Sequence, residues 1–325
     1  MGDHRDRPCG EVRMQQPYLS IVVPVYNEET NLVPLIDRLY PAVQGTGKSF
    51  EIIFTNDGSR DRSLEILRRM VRDYPGVKVV EFNGNFGQHM AILAAFEMSR
   101  GQIVITLDAD LQNPPEEIPR LVAEIEKGHD VVGTSRRKRQ DTLFRRLASR
   151  IVNITTNKMT GMAMKDYGCM LRAYHRDVIE NINRCQETTT FIPALAQTFC
   201  SNPVEIEVAH AERSAGESKY SLYKLIRLNF DLMTGFSVVP LQLFALFGIL
   251  TSLLSLAFAL FLLVRRFIVG AEVEGVFTLF AILFFFVGII ILGIGIVGEY
   301  VGRIYQEVRK RPRFVVRRTY GFEEQ

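Results

Sequence analysis

The chain has 325 residues, 47% of them hydrophobic and 23% charged, with a formal net charge of +3. That length can hold two domains, and 24 Gly, 13 Pro and 4 Cys spread over it exclude a collagen-like fibre, a long disordered chain and a small disulfide scaffold. A mean hydropathy of +0.07 averages two unlike populations, because residues 241–264 and 276–298 contain no Asp, Glu, Lys or Arg.

The opening tail, residues 1–17 (starting MGDHRDRPCGEVR), has no apolar run that could act as a secretory signal. Met1-Gly2 also lacks the Ser or Thr of a myristoylation motif. From residue 18 onward, apolar β-branched runs alternate with helical patterns. Leu19–Val25, Glu51–Thr55, Val77–Phe82, Ile103–Leu107 and Asp130–Gly133 read as buried parallel strands. Helices are expected at 28–40, 61–73, 87–99 and 115–127, with Asp61 or Ser59 capping the second and Pro114-Pro115 opening the fourth. Alternation of this kind predicts an α/β domain, a Rossmann-like and mostly parallel sheet with helices on both faces. Ligands of such sheets bind beyond the carboxyl ends of the strands.

Three polar clusters follow three of those strands: Pro24-Val-Tyr-Asn-Glu28, Asn56-Asp-Gly-Ser59 and Asp108-Ala-Asp110-Leu-Gln112. Each alone reads as a turn or a helix cap. Together they converge on one edge of the sheet. The first turn has no glycine, which argues against a dinucleotide site, since that site needs bare backbone beside a pyrophosphate. Asp108 and Asp110 end an apolar strand, and two like charges so close need a counter-charge or must share a proton. A hard cation, Mg²⁺ or Mn²⁺, supplies that charge and completes its shell with phosphate and water. Gln112 can add a carbonyl ligand. The blander reading is a solvated turn ahead of Pro114-Pro115.

Cys9, Cys169, Cys185 and Cys200 form no C-x-x-C pair and have no His at metal spacing, as expected of thiols in a reducing compartment. With the catalytic domain ending at 219, residues 220–240 place Leu222, Leu225, Ile226, Phe230 and Met233 on one helical face, with Lys224 and Arg227 off it. That helix either lies in a membrane interface or packs on the soluble domain. The two uncharged segments, about 36 and 34 Å long as helices, exceed a hydrocarbon core of about 30 Å. The connection 265–275 has two basic residues. Lys219, Lys224 and Arg227 precede the first span, and Arg303, Arg309, Lys310, Arg311, Arg313, Arg317 and Arg318 follow the second. That asymmetry puts both flanks in the cytoplasm. Residues 299–325 are expected as a second interfacial helix and a basic tail. Gly298-x-x-x-Gly302 would allow close helix approach, within one chain or in a homo-oligomer.

PVYNE, NDGS and DADLQNPPE, in this order and spacing, resemble the GT-A glycosyltransferases that use a nucleotide sugar. More closely they resemble the polyprenyl-phosphate glycosyltransferases, a branch that includes dolichyl-phosphate mannose synthase. The resemblance runs from about Tyr18 to Arg318. NFGQHMAILAAF (85–96), DVVGTSRRKRQD (130–141), DYGCMLRAY (166–174), ERSAGESKYS (212–221) and EGVFTLFAILF (274–284) narrow it to bacterial members acting on undecaprenyl phosphate. It implies a GT-A domain followed by interfacial and transmembrane helices in a bacterial inner membrane, with the catalytic domain and both termini cytoplasmic. The implied partners are a UDP-sugar donor, undecaprenyl phosphate and membrane lipids, with Mg²⁺ or Mn²⁺ as cofactor and no nucleic acid.

Carried over residue by residue, the resemblance makes Pro24, Tyr26 and Glu28 border the uridine, with Asp57 bonding the uracil. Asp108 and Asp110 face the diphosphate and metal, and Gln112 joins the metal shell. Asp166 sits near sugar and acceptor, as a base or an orienting group. Arg136 and Arg139 bind phosphates, and Arg213, Ser218 and Lys219 bind the acceptor phosphate. The same basic run, 136–139, also reads as a solvated face or a contact with anionic lipid. His89 reads as a helix-start residue packing near the nucleotide. A processive polysaccharide synthase is disfavoured, since its family's motif contains Trp and this chain has none. A hexosyl transferase acting on the same lipid and a non-catalytic nucleotide-binding membrane protein stay open as rivals.

Overall fold

A computed structural model describes residues 16–136, 169–185, 191–208, 239–269, 276–309 and 311–322. Its first half runs β1 (Leu19–Val25), α1 (Leu32–Gln44), β2 (Phe50–Asn56), α2 (Ser63–Asp73), β3 (Val77–Phe82), α3 (Gln88–Met98), β4 (Ile103–Thr106), α4 (Ile118–Glu126) and β5 (Val131–Arg136). Then come β6 (Arg172–His175), α5 (Arg176–Arg184), α6 (Ile192–Phe199), β7 (Pro203–Val208), the long helices α7 (Val239–Val269) and α8 (Val276–Val308), and β8 (Val316–Tyr320). The eight strands form one sheet in the order β7-β5-β6-β4-β1-β2-β3-β8.

Apolar alternation along the strands explains the layers. Leu19, Ile21, Val23 and Val25 of β1 face one core, shared with Leu35 and Leu39 of α1, Leu67 of α2 and Leu121 of α4. Val22, Ile53, Val80 and Val104 face the other, shared with α3, α5 and α6. Both faces of the central strands are therefore dry, as parallel sheets require. The chain moves outward from β1 through β2 to β3, then returns to place β4 on the other side of β1. This reversal is a topological switch point, the place at the carboxyl edge where ligands of open α/β sheets bind.

The structure departs from the sequence expectation in four places. First, β6 enters antiparallel between β4 and β5, so the parallel run is interrupted by one strand. Second, β7 extends the sheet beside β5, in parallel register from Val131↔Pro203 to Arg136↔Val208. Third, α1 starts at Leu32 rather than 28, because Asn27 takes a left-handed backbone, φ +55°, and the Glu28 carbonyl closes a turn onto Asn31 and Leu32. Fourth, the segment expected as an interfacial helix and basic tail is divided between α8, which runs unbroken to Val308, and β8, antiparallel on β3. Buried Glu81 on β3 explains that last pairing: its Oε2 accepts from the Tyr320 hydroxyl at 2.7 Å and from Arg68 at 3.3 Å. The added strand also covers an edge that would otherwise invite pairing with another chain.

Helices α7 and α8 contain stretches of mean hydropathy 2.0 and 2.1, long and apolar enough to cross a membrane. They approach at Gly293, where a Cβ would run into the Phe244 ring. At Gly298 and Gly302, where close approach was expected, a Cβ would meet open space. The amphipathic segment 220–238 and the connection 270–275 lie outside the described residues.

Candidate functional site

The carboxyl edge is built around β1. Pro24 is buried, next to last in the strand. A proline fits a central strand here because the β4 ladder ends at Val22↔Thr106, with Leu107 donating to the Val22 carbonyl, so position 24 has no partner to lose. Two residues on, Tyr26 is 44% exposed and forms an open aromatic wall. The left-handed Asn27 is held from both sides: its amide donates to Ser59 Oγ at 3.0 Å, and its Oδ1 accepts from the Arg60 amide at 2.8 Å. Glu28 accepts from Asn31 Nδ2 at 2.6 Å, and its amide donates to Ser63 Oγ at 2.9 Å. The N-cap of α2 is Arg62, not Asp61 or Ser59; Asp61, one residue earlier, accepts from the amides of Ser63 and Glu29 and so ties the start of α2 to the β1 turn.

Asp57 follows β2 and is only 3% exposed. Its Oδ1 accepts from the Phe86 amide at 2.6 Å, and its Oδ2 from the Gly87 amide at 2.9 Å and Asn85 Nδ2 at 3.0 Å. Three of a carboxylate's roughly four acceptor positions are thus filled by the loop before α3. Its first structural task is to hold that loop. Burial pushes its carboxyl above the usual range, and the two backbone donors pull it back.

Asp108 and Asp110 follow the end of β4, both half-buried, with buried Ala109 between them. Gln88, the first residue of α3, donates Nε2 to Asp108 Oδ1 at 2.6 Å. Asp110 Oδ1 accepts from the Gln112 amide at 3.1 Å, and Leu111 takes φ +60°, a costly conformation for a branched side chain. Buried Asn113 anchors the turn by accepting from Cys169 Sγ at 3.3 Å. Among the described residues no three His, Cys, Asp or Glu side chains meet in a closed metal cage. Two carboxylates on an open turn are hard oxygen donors, which suits a cation that shares its shell with phosphate oxygens.

β5 and β7 end, and β6 begins, at this same edge. Arg136 ends β5 opposite Val208, the end of β7. The antiparallel β6 begins here too, with Arg172 opposite Thr106. The Arg172 side chain is fully buried, its Nε donating to the Cys169 carbonyl at 2.9 Å. Asp166, Arg139, Arg213, Ser218 and Lys219 lie outside the described residues, as do Arg137 and Lys138.

Sequence reasoning passed over Gln88 and Asn85, although both stand in the quoted NFGQH stretch; a polar residue on each side of Gly87 was the available signal. His89, next along, packs its ring edge-to-face on Phe191 at 5.3 Å. Its Nδ1 is buried without a partner, and burial holds the imidazole down at about 4.

The model for "Glycosyl transferase family 2" matches residues 20–182, and the chain belongs to that family. It is 54% identical over 304 residues to the undecaprenyl-phosphate 4-deoxy-4-formamido-L-arabinose transferase of Pseudomonas aeruginosa, covering 93% of this chain and 90% of that one. With the enzyme of the same name from Edwardsiella ictaluri it shares 51% over 316 residues, 95% and 97% of the two chains. Within family 2 it therefore falls among the undecaprenyl-phosphate 4-deoxy-4-formamido-L-arabinose transferases. Among solved structures, a glucosyl-3-phosphoglycerate synthase from Mycobacterium tuberculosis, in complex with Mn²⁺ and UDP, matches at 18% identity with a TM-score of 0.49, over 67% of this chain and 78% of that one.

Proposed function

We propose that this glycosyltransferase moves 4-deoxy-4-formamido-L-arabinose from its UDP-linked donor to undecaprenyl phosphate, at the cytoplasmic face of a bacterial inner membrane. The product would serve lipid A modification, and with it resistance to cationic antimicrobial peptides such as polymyxin. The observation that carries the reading is identity of 51–54% across 93–95% of the chain, which takes in both the sheet edge and the apolar helices.

The acceptor is a phosphate monoester whose second pKa is about 6, so at neutral pH it is mostly a dianion and attacks with little help from a base. Its oxygen forms the new bond to the anomeric carbon as the bond to UDP breaks. A single in-line displacement inverts that centre. The hard task is electrostatic, since a dianion must approach a diphosphate. Pro24, Tyr26 and Glu28 would border the uridine, and Asp57 would reach the uracil through its remaining acceptor position while it holds the 85–87 loop. Asp108 and Asp110, with Gln112, would hold Mg²⁺ or Mn²⁺, which supplies charge neutralisation at the departing diphosphate. Arg136 and Arg139 would add positive charge there. Arg213, Ser218 and Lys219 would bind the acceptor phosphate just ahead of the membrane, and Asp166 would orient the sugar. The excess of basic residues on the flanks of the two spans supports the cytoplasmic orientation.

Donor competition tests the reading. Purified full-length protein with undecaprenyl phosphate and a divalent cation should prefer UDP-4-deoxy-4-formamido-L-arabinose to UDP-glucose. Preference for UDP-glucose would replace the donor and keep the class. No release of UDP from either would leave a binding protein without turnover.

A further inference from the structure

We propose that the C-terminal segment Arg313–Val316 is a positioning element of the donor edge, with Phe314 as the residue that holds the donor loop in place. The inference rests on the reading of that edge as the UDP-sugar site.

Between β3 and α3 runs the loop 83–87, and its far end does two jobs at the edge. The amides of Phe86 and Gly87 and the side chain of Asn85 bond Asp57, and the next residue, Gln88, bonds Asp108. The near end of the same loop is gripped by the C-terminal segment. Phe314 stacks on Phe82, with ring centres 5.2 Å apart and planes 12° from parallel. Phe82 in turn meets Phe86 edge-to-face at 5.5 Å. The Asn83 amide donates to the Val315 carbonyl at 3.1 Å. Arg313 bonds Glu97, near the other end of α3, and the Cys185 carbonyl at the end of α5, each at 3.0 Å. A continuous packed path therefore leads from Phe314 through two rings to the amides that seat Asp57.

That path starts at a membrane-length helix. Phe314 lies six residues beyond Val308, where α8 ends, so the tether spans at most roughly 20 Å. The element that anchors the chain thus also buttresses the loop that meets the nucleotide. Loops at binding sites carry few contacts of their own, and a strap of this kind reduces the ordering cost of binding.

The test compares two variants of the same tail in full-length protein held in lipid nanodiscs. Phe314→Ala breaks the stack on Phe82. Tyr320→Phe removes the hydroxyl bonded to Glu81 and loosens β8 away from the loop. Two quantities are read: UDP affinity by calorimetry, and hydrogen exchange at the Phe86 and Gly87 amides. Phe314→Ala should weaken UDP binding by about three- to tenfold and speed exchange at those two amides, with Phe314→Tyr restoring both. Tyr320→Phe should lower the melting temperature and leave both readings at the wild-type level. Equal losses in the Ala and Phe variants, or unchanged UDP affinity and exchange in Phe314→Ala, would overturn the proposal. Wild-type protein that binds no UDP would instead overturn the donor-site reading and, with it, this inference.

Discussion

In the sheet, Ile21, Ile53 and Phe54 are fully buried, whereas on α7 and α8 Leu256 is 68% exposed, Ile294 67% and Phe267 85%. The side chains are of the same kind; the solvents differ. Burial of a Leu- or Phe-sized side chain out of water stabilises a fold by about 1.5–3 kcal/mol, and the sheet takes that gain from its own helices on both faces. The long helices leave theirs for lipid. What separates the regions is therefore not hydrophobicity but who covers it, and the chemistry sits on the self-covered part. If that division is right, substitutions in the two regions should fail in different ways.

The largest effect belongs to the sheet edge. Asp110→Asn should lower turnover by at least about 10³-fold, roughly 4 kcal/mol of transition-state stabilisation, with folding and membrane insertion unchanged. Asparagine keeps a carbonyl for the Gln112 amide, so the turn survives while the charge is lost. Steady-state turnover with a divalent cation, beside a melting curve, decides it. Near-normal turnover would remove Asp110 from the reaction.

The next effect separates the two kinds of burial. Phe54→Ala should cost about 3–5 kcal/mol of stability, because a dry, close-packed core cannot refill the cavity. Leu256→Ala should cost less than about 1 kcal/mol in a bilayer, because lipid tails are as apolar as the leucine they replace and flow into the space. Unfolding followed in nanodiscs would show the difference. Equal costs would mean that α7 is covered by protein rather than lipid.

How much of this was legible in the sequence follows the same division. The ends of β1 and β3 match the expectation, and β2 and β4 differ by a single residue at one or both ends, because long apolar runs bounded by polar turns state their own limits. β6 did not announce itself. It is four residues long and opens with a fully buried arginine, so no apolar run marks it. β8 carries two arginines on an edge strand and reads as tail; only its pairing with β3 and the Glu81 carboxylate make it part of the sheet. At the site, Asp108 and Asp110 were legible because two carboxylates ending an apolar strand are an anomaly in themselves. Gln88 and Asn85 were not, since their partners Asp108 and Asp57 lie 20 and 28 residues away and meet them only when the sheet brings together the ends of β2, β3 and β4, with β1 between β4 and β2. Pro24 was legible as part of the buried strand Leu19–Val25, and the structure buries it there.

The smallest effect tests how dry the self-covered region is beside the site. With Nδ1 buried and unpartnered, His89 is held neutral down to about pH 4, against an ordinary value of 6.5. Between those values the unfolded chain binds a proton that the folded chain refuses, so stability is full above pH 6.5 and falls as pH drops toward 4. The loss can reach about 3 kcal/mol, at 1.36 kcal/mol per pH unit. His89→Phe keeps a ring against Phe191 and removes the titration, so its stability should stay flatter over that window, the gap from wild type widening as pH falls. Asp57 acts with the opposite sign, because its raised carboxyl binds its proton more readily in the folded chain. It is present in both proteins and cancels in the difference. Melting curves of the pair at pH 7.5, 5.5 and 4.5 give the answer. Parallel curves would mean that water reaches His89 in solution, and that the packing between α3 and Phe191 beside the donor edge opens to solvent as the helices facing lipid do not.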